Sequence, residues 1–143
     1  MIKKPNMEQM KNLDKKQFYL LSFTWGLPMS LVGVLVCAVL MVFGYKPKKY
    51  GHCYCIAIGE RWGGLELGWL FLVSKTSGEN TYKHELGHAY QNACMFGWAM
   101  PIFSIISACR YWLRHWGVKI DYYKWFFESQ ANDIGAYIME GVE

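Results

Sequence analysis

His84 and His88 stand four residues apart in the string His84-Glu85-Leu86-Gly87-His88. On a helix that spacing projects both imidazoles from one face, about one turn apart. Two ring nitrogens so placed can reach one zinc ion at about 2.0–2.1 Å. Glu85 lies beside them, where its carboxylate can touch a water at the metal without binding the metal, the position of a general base in metal-assisted hydrolysis. Ordinary residue frequencies give an HExxH string by chance on the order of once in a few hundred chains of this length. The plainer alternative is a core helix whose two histidines only satisfy hydrogen bonds.

A third ligand is available downstream. Glu128 follows in Trp125-Phe126-Phe127-Glu128-Ser129-Gln130-Ala131-Asn132. A catalytic zinc takes three protein ligands and keeps one position for water. Two neutral histidines and one carboxylate leave a net positive centre that draws the water pKa toward about 7. Asn132 lies one helical turn past Glu128 on the same face, where its carbonyl can accept the second N–H of a ligand histidine and fix the tautomer.

These residues need elements to hold them. Of 143 residues, 53% are apolar and only 18% charged, against roughly 25% charged in soluble domains. The length suits one compact unit, and the surplus apolar surface points to a lipid bilayer. The formal charge of +4 fits anionic headgroups, and the absence of an arginine-rich stripe excludes a nucleic-acid interface.

Residues 1–16 form a polar, lysine-rich tail, and Phe18 to Tyr45 contains no charged residue. Residues 17–45 are expected to form an N-terminal transmembrane anchor helix, kinked by Gly26 and Pro28. The segment is longer than a signal-peptide core and ends on Lys46-Pro47-Lys48-Lys49, which favours an anchor over a cleaved leader. Five lysines precede it and three follow closely, a slight bias toward an inside N-terminus. Residues 50–143 then read as the site-bearing domain. Cys53 to Ile58 and Leu65 to Val73 read as strands around a Gly59–Gly64 turn, the second with Leu65, Leu67, Trp69, Phe71 and Val73 on one face. Thr81 is the expected N-cap of the motif helix. A second apolar helix is expected from about Pro101 to Trp116, and a last one from Tyr122 to Met139. The five cysteines match neither a zinc knuckle nor a thioredoxin motif and read as free, mainly buried thiols.

The HExxH pair with a glutamate donated by a later helix resembles the gluzincin metallopeptidases, above all their minimal single-domain members. The fuller string, HELGHAYQ followed by Pro101, Arg110-Tyr111-Trp112 and the Glu128-Ser129-Gln130-Ala131 helix, is similar to small bacterial membrane proteins over most of 25–135. The resemblance implies zinc on His84, His88 and Glu128 with Glu85 as base, an extended peptide paired along the strand beside the active helix, and an oxyanion stabiliser. Leu65 to Val73 is the candidate strand. Tyr122, Tyr123, His115 and Arg110 are candidate stabilisers, each with a structural role as the simpler reading; His52 has no assigned partner. Many gluzincins carry aspartate one turn after the glutamate ligand. Here that position is Asn132, and Asp133 would point about 140° away from Glu128 on an ideal helix.

The expectation is therefore an α+β, zincin-like minimal unit, a β-hairpin with an active-site helix and a glutamate-bearing helix, behind a single-pass anchor in the cell membrane. Its expected function is zinc-dependent peptide hydrolysis. The alternative is a non-catalytic membrane protein whose structural or vestigial zinc site serves interaction or assembly. Residues 93–113 are the critical segment, because Ala93 to Cys109 carries no charge and nearly reaches spanning length. Were it to cross the bilayer, His88 and Glu128 would lie about 30 Å apart. A shared zinc requires the segment to turn back instead.

Overall fold

A computed structural model of the chain describes residues 7–119 and 126–140. After a short helix α1 (Met7–Lys11), α2 (Lys15–Ser22) starts from a reciprocal cap. The Asp14 carboxylate accepts from the Gln17 backbone N–H at 2.8 Å, while the Gln17 side chain accepts from the Asp14 N–H at 3.0 Å. Helix α3 (Leu27–Val42) follows after four residues, at 100° to α2. The single kinked anchor helix expected over 17–45 is thus two helices meeting at a sharp corner. Pro28 falls in the first turn of α3, where its missing N–H forfeits no helical bond. Gly26 provides the corner, with its backbone so close to Asn92 that a Cβ would stand 2.3 Å from the Asn92 amide nitrogen.

Four strands form one mixed sheet, β1 (Lys48–Tyr50), β2 (Cys53–Ala57), β3 (Gly64–Leu67) and β4 (Leu70–Val73), in the order β1-β2-β4-β3. β2 and β4 are parallel, and the other two pairings are antiparallel. The expected single strand Leu65–Val73 is in fact the β3–β4 hairpin. Gly68, at φ +74°, takes the first turn position, where a left-handed residue is wanted. All four residues of β4 are buried. Its alternation is hidden because both faces are covered: Phe71 and Val73 pack toward α4 (Glu79–Gln91) and α6 (Phe126–Glu140), while Leu70 and Leu72 pack toward α3.

Helix α4 starts at Glu79 with Gly78 as its N-cap, three residues ahead of where Thr81 would have set it. Beyond Gln91 it loosens into a π turn (Asn92–Phe96), then a 3₁₀ turn (Gly97–Ala99), and resumes as α5 (Met100–His115). Gly97 sits at φ +50° in this break, wedged against the backbone and ring of Trp25. The run Glu79–His115 includes a stretch long and apolar enough to cross a bilayer, of which only 22% is buried inside the protein. It is not one straight rod. His88 and Ser107 both bond the carboxylate of Glu128, whereas nineteen residues of straight helix would hold them about 28 Å apart.

Among the described residues all five cysteines are free: Cys37, Cys53 and Cys55 are buried, Cys94 is intermediate and Cys109 is exposed.

Candidate metal centre

Helices α4 and α6 approach closely enough to build a site between them. Gly87 and Gly135 are the contact points. A Cβ on Gly87 would meet the Ala131 carbonyl oxygen at 1.9 Å, and one on Gly135 the Lys83 carbonyl oxygen at 1.7 Å. Gly87 therefore faces α6.

Across this contact His84, His88 and Glu128 converge, all three buried. Glu128 Oε2 lies 2.8 Å from His84 Nε2 and 3.0 Å from His88 Nε2, and the two Nε2 atoms are 3.1 Å apart. The far side of each ligand is held as well. Gln91 donates its amide to the Phe127 carbonyl at 3.0 Å and to Gln130 Oε1 at 2.9 Å. That fixes the Gln91 oxygen toward His88 Nδ1, 2.7 Å away. An amide oxygen only accepts, so His88 carries its proton on Nδ1 and aims the Nε2 lone pair into the site. Asn132 Oδ1 lies 2.7 Å from His84 Nδ1 and does the same for that ring. Ser107 donates to Glu128 Oε1, which leaves Oε2 for the histidines.

Three electron-rich atoms thus face one another with their neighbouring protons committed elsewhere, a group that could hold a metal ion. Tetrahedral bonds of about 2.0–2.1 Å place ligand atoms roughly 3.3 Å apart. The group fits a divalent ion after opening by a few tenths of an ångström. Burial alone would raise the Glu128 carboxyl, yet its close contacts with His84 and His88, then the charge of His88 and the Ser107 bond, hold it far below the usual carboxylate range. Burial works to lower His84, but Glu128 and Glu85 outweigh it and raise its pKa. Both shifts show a pocket that favours positive charge.

Glu85 is buried next to the two histidines, in space left by Gly64, where a Cβ would stand 2.7 Å from its carboxylate. Burial raises its pKa, the two histidines pull it down, and Glu128 raises it further. All four residues border a cavity of about 900 Å³ or lie in its wall: His84, Glu85 and His88 line it, with Glu128 behind Ser107 and Phe127. The opposite walls are the edge strand β3 and helix α5.

The other candidates fall elsewhere. Tyr122 and Tyr123 lie outside the described residues. His115 is exposed and packs edge-on against Trp112. Arg110 is intermediate in exposure, and its neighbour Tyr111 is the residue that lines the cavity. His52 Nε2 bonds the Leu13 carbonyl at 2.9 Å, a structural role.

Three residues of the site had no assignment in the sequence. Gln91 was legible in principle, three residues after His88 on the same helical face. Ser107 gave no signal, since only the fold-back at Gly97 brings it near. Glu66 is a buried carboxyl on β3 that also lines the cavity; one oxygen accepts from Gly68 N–H and the other has no hydrogen-bond partner among the described residues. Burial pushes its pKa well up, the Gly68 bond opposes that, and Glu85 adds to it.

Comparison with protein-family profiles, curated proteins and solved structures finds no match.

Proposed function

We propose that the protein is a membrane-associated, zinc-dependent peptidase of gluzincin-like design. The observation that carries the reading is the convergence of His84 Nε2, His88 Nε2 and Glu128 Oε2 within 3.1 Å on one wall of a cavity, with Glu85 buried alongside. A zinc ion held there would polarise a substrate carbonyl and lower the pKa of a water. Glu85 serves as the base that takes a proton from that water and returns it to the departing amine. Asn132 and Gln91 hold the two imidazoles in the tautomer that binding needs, and Ser107 holds the carboxylate. Of the hairpin, only β3 is an edge strand, so Gly64–Leu67 is the segment to pair with an extended peptide; β4 is enclosed by β2 and β3.

The test is Glu85→Gln in detergent-purified, zinc-loaded full chain. Zinc content should be unchanged, and hydrolysis of a cleavable peptide should fall by about 10²-fold or more. Undiminished hydrolysis would sink the peptidase reading.

One observation favours a second reading. Asn132, a neutral amide, stands where a carboxylate would raise the basicity of His84. A structural zinc site supporting interaction or assembly would show stoichiometric metal with no cleavage of any peptide.

A further inference from the structure

Helices α3 and α5 are built inside out for a protein in water. On α3 the inward positions are Met29, Ser30, Gly33 and Cys37, while Leu31, Val34, Leu35 and Val39 are exposed. On α5 the positions turned to the cavity include Ser104, Ser107 and Ala108, and those turned outward include Ile102 (62% exposed), Ile105 (64%) and Ile106. Small and hydroxylated side chains facing in, with large aliphatic ones facing out, is the pattern of helices solvated by lipid. The two helices touch, and they start from one corner, where Trp25 donates to the Met95 carbonyl, Trp98 to the Thr24 carbonyl and Asn92 to the Gly26 carbonyl.

The ends of the pair are marked too. Trp25 and Trp98 are exposed at the common corner, and Trp112 and Trp116 at the far end of α5. Basic residues gather at the far ends, Arg114 and His115 on α5 and Lys46, Lys48 and Lys49 after α3. Indole rings favour the interface, and the cations suit anionic headgroups. Each helix has 16 residues, about 24 Å, short of the roughly 30 Å hydrocarbon core. The fold-back at Gly97 then makes α5 part of a dipping hairpin and not a crossing.

Helix α5 therefore carries lipid-type residues on one side and the cavity wall on the other. Ala108, Tyr111, Trp112 and Arg114 of α5 are both exposed and cavity-lining, as are Asn80, Asn132 and Asp133 on the other rim, so one side of the cavity mouth runs along the lipid-facing helix. We propose that the cavity opens toward the bilayer and takes its substrate from there, an extended peptide segment held in or at the membrane that enters between α5 and the edge strand β3. The inference rests on the peptidase reading for the peptide, but not for the opening to lipid.

The experiment uses full chain in vesicles of mixed zwitterionic and anionic phospholipid, in a Cys109→Ser background. A fluorophore is placed through Leu65→Cys on β3, Ala108→Cys at the mouth, or Lys75→Cys in an exposed loop as reference. Unchanged zinc content shows that each variant is folded. Labels at 65 and 108 should be quenched by brominated lipid and the label at 75 by aqueous iodide. Iodide quenching alone at 65 and 108 would overturn the proposal.

A second arm compares one scissile peptide, free or joined to an apolar membrane anchor in the same vesicles. Cleavage should be about tenfold or more faster for the anchored form, since both partners then share one surface. Equal rates would overturn the membrane-held substrate. Lipid-quenched labels with neither peptide cleaved would remove the peptide, and the peptidase reading with it, while the opening to lipid would stand.

Discussion

Gly87 and Ala131 meet backbone to backbone, with room for no side chain: a Cβ on Gly87 would lie 1.9 Å from the Ala131 carbonyl oxygen. Together with Gly135 against Lys83, this contact sets the distance between α4 and α6, and so the spacing of His84 and His88 from Glu128.

Gly87→Ala tests that dependence. In an open helix the change would stabilise by up to about 1 kcal/mol. Here the methyl group meets a backbone oxygen that cannot rotate away, and overpacking of this kind costs about 1–3 kcal/mol. The expected result is a lower Tm and a zinc affinity reduced at least tenfold, read by competitive titration with a chelator. An unchanged affinity would mean that helix spacing does not set the site.

Asn132 and Gln91 act on the metal through the histidines. Asn132→Leu and Gln91→Leu should each weaken zinc binding by about 10–100-fold with His84, His88 and Glu128 all in place. Asn132→Asp should bind at least as tightly as wild type, because a carboxylate increases the basicity of His84. Looser binding in the aspartate variant would contradict the orienting role.

The pH dependence has a definite sign. The raised pKa of His84 gives the metal-free protein stability that is complete below about 6.5 and lost as pH rises through the folded value. Glu66 and Glu85, raised chiefly by burial, add to the loss above the ordinary carboxylate range. The depressed Glu128 works at the other end: its contribution is present above about 4.5 and lost as pH falls toward its folded value. Zinc needs its ligands deprotonated. Thermal unfolding from pH 6 to 8 should show a falling Tm for metal-free protein and a growing increment on zinc addition. A zinc increment that shrinks with rising pH would contradict the ligand set.

The site lay closer to the surface of the sequence than the fold did. His84 and His88 are linked by local helical spacing, and Glu128 with Asn132 by the same rule on a second helix, so each pair could be read without knowing the topology. The four-residue spacing needs only that both segments be helical. That α4 and α6 meet was not legible, because it depends on Gly87 and Gly135 facing each other's helix. The strand Leu65–Val73 misled because its apolar alternation runs on through a two-residue turn at Gly68 and Trp69, which splits it into β3 and β4. The corner at Gly26 was legible as a kink, but its 100° depends on the bond from Asn92 to the Gly26 carbonyl, a contact across 66 residues. Ser107 was illegible for the same cause, since the chain must double back at Gly97 before it reaches Glu128.

The most direct test is the zinc content of detergent-purified wild type beside Glu128→Ala, measured after dialysis against a weak chelator. About one zinc per chain in wild type, and a large loss in the variant, is the predicted result for a site closed by His84, His88 and Glu128. No stoichiometric zinc in wild type, or the same content without the Glu128 carboxylate, would contradict it.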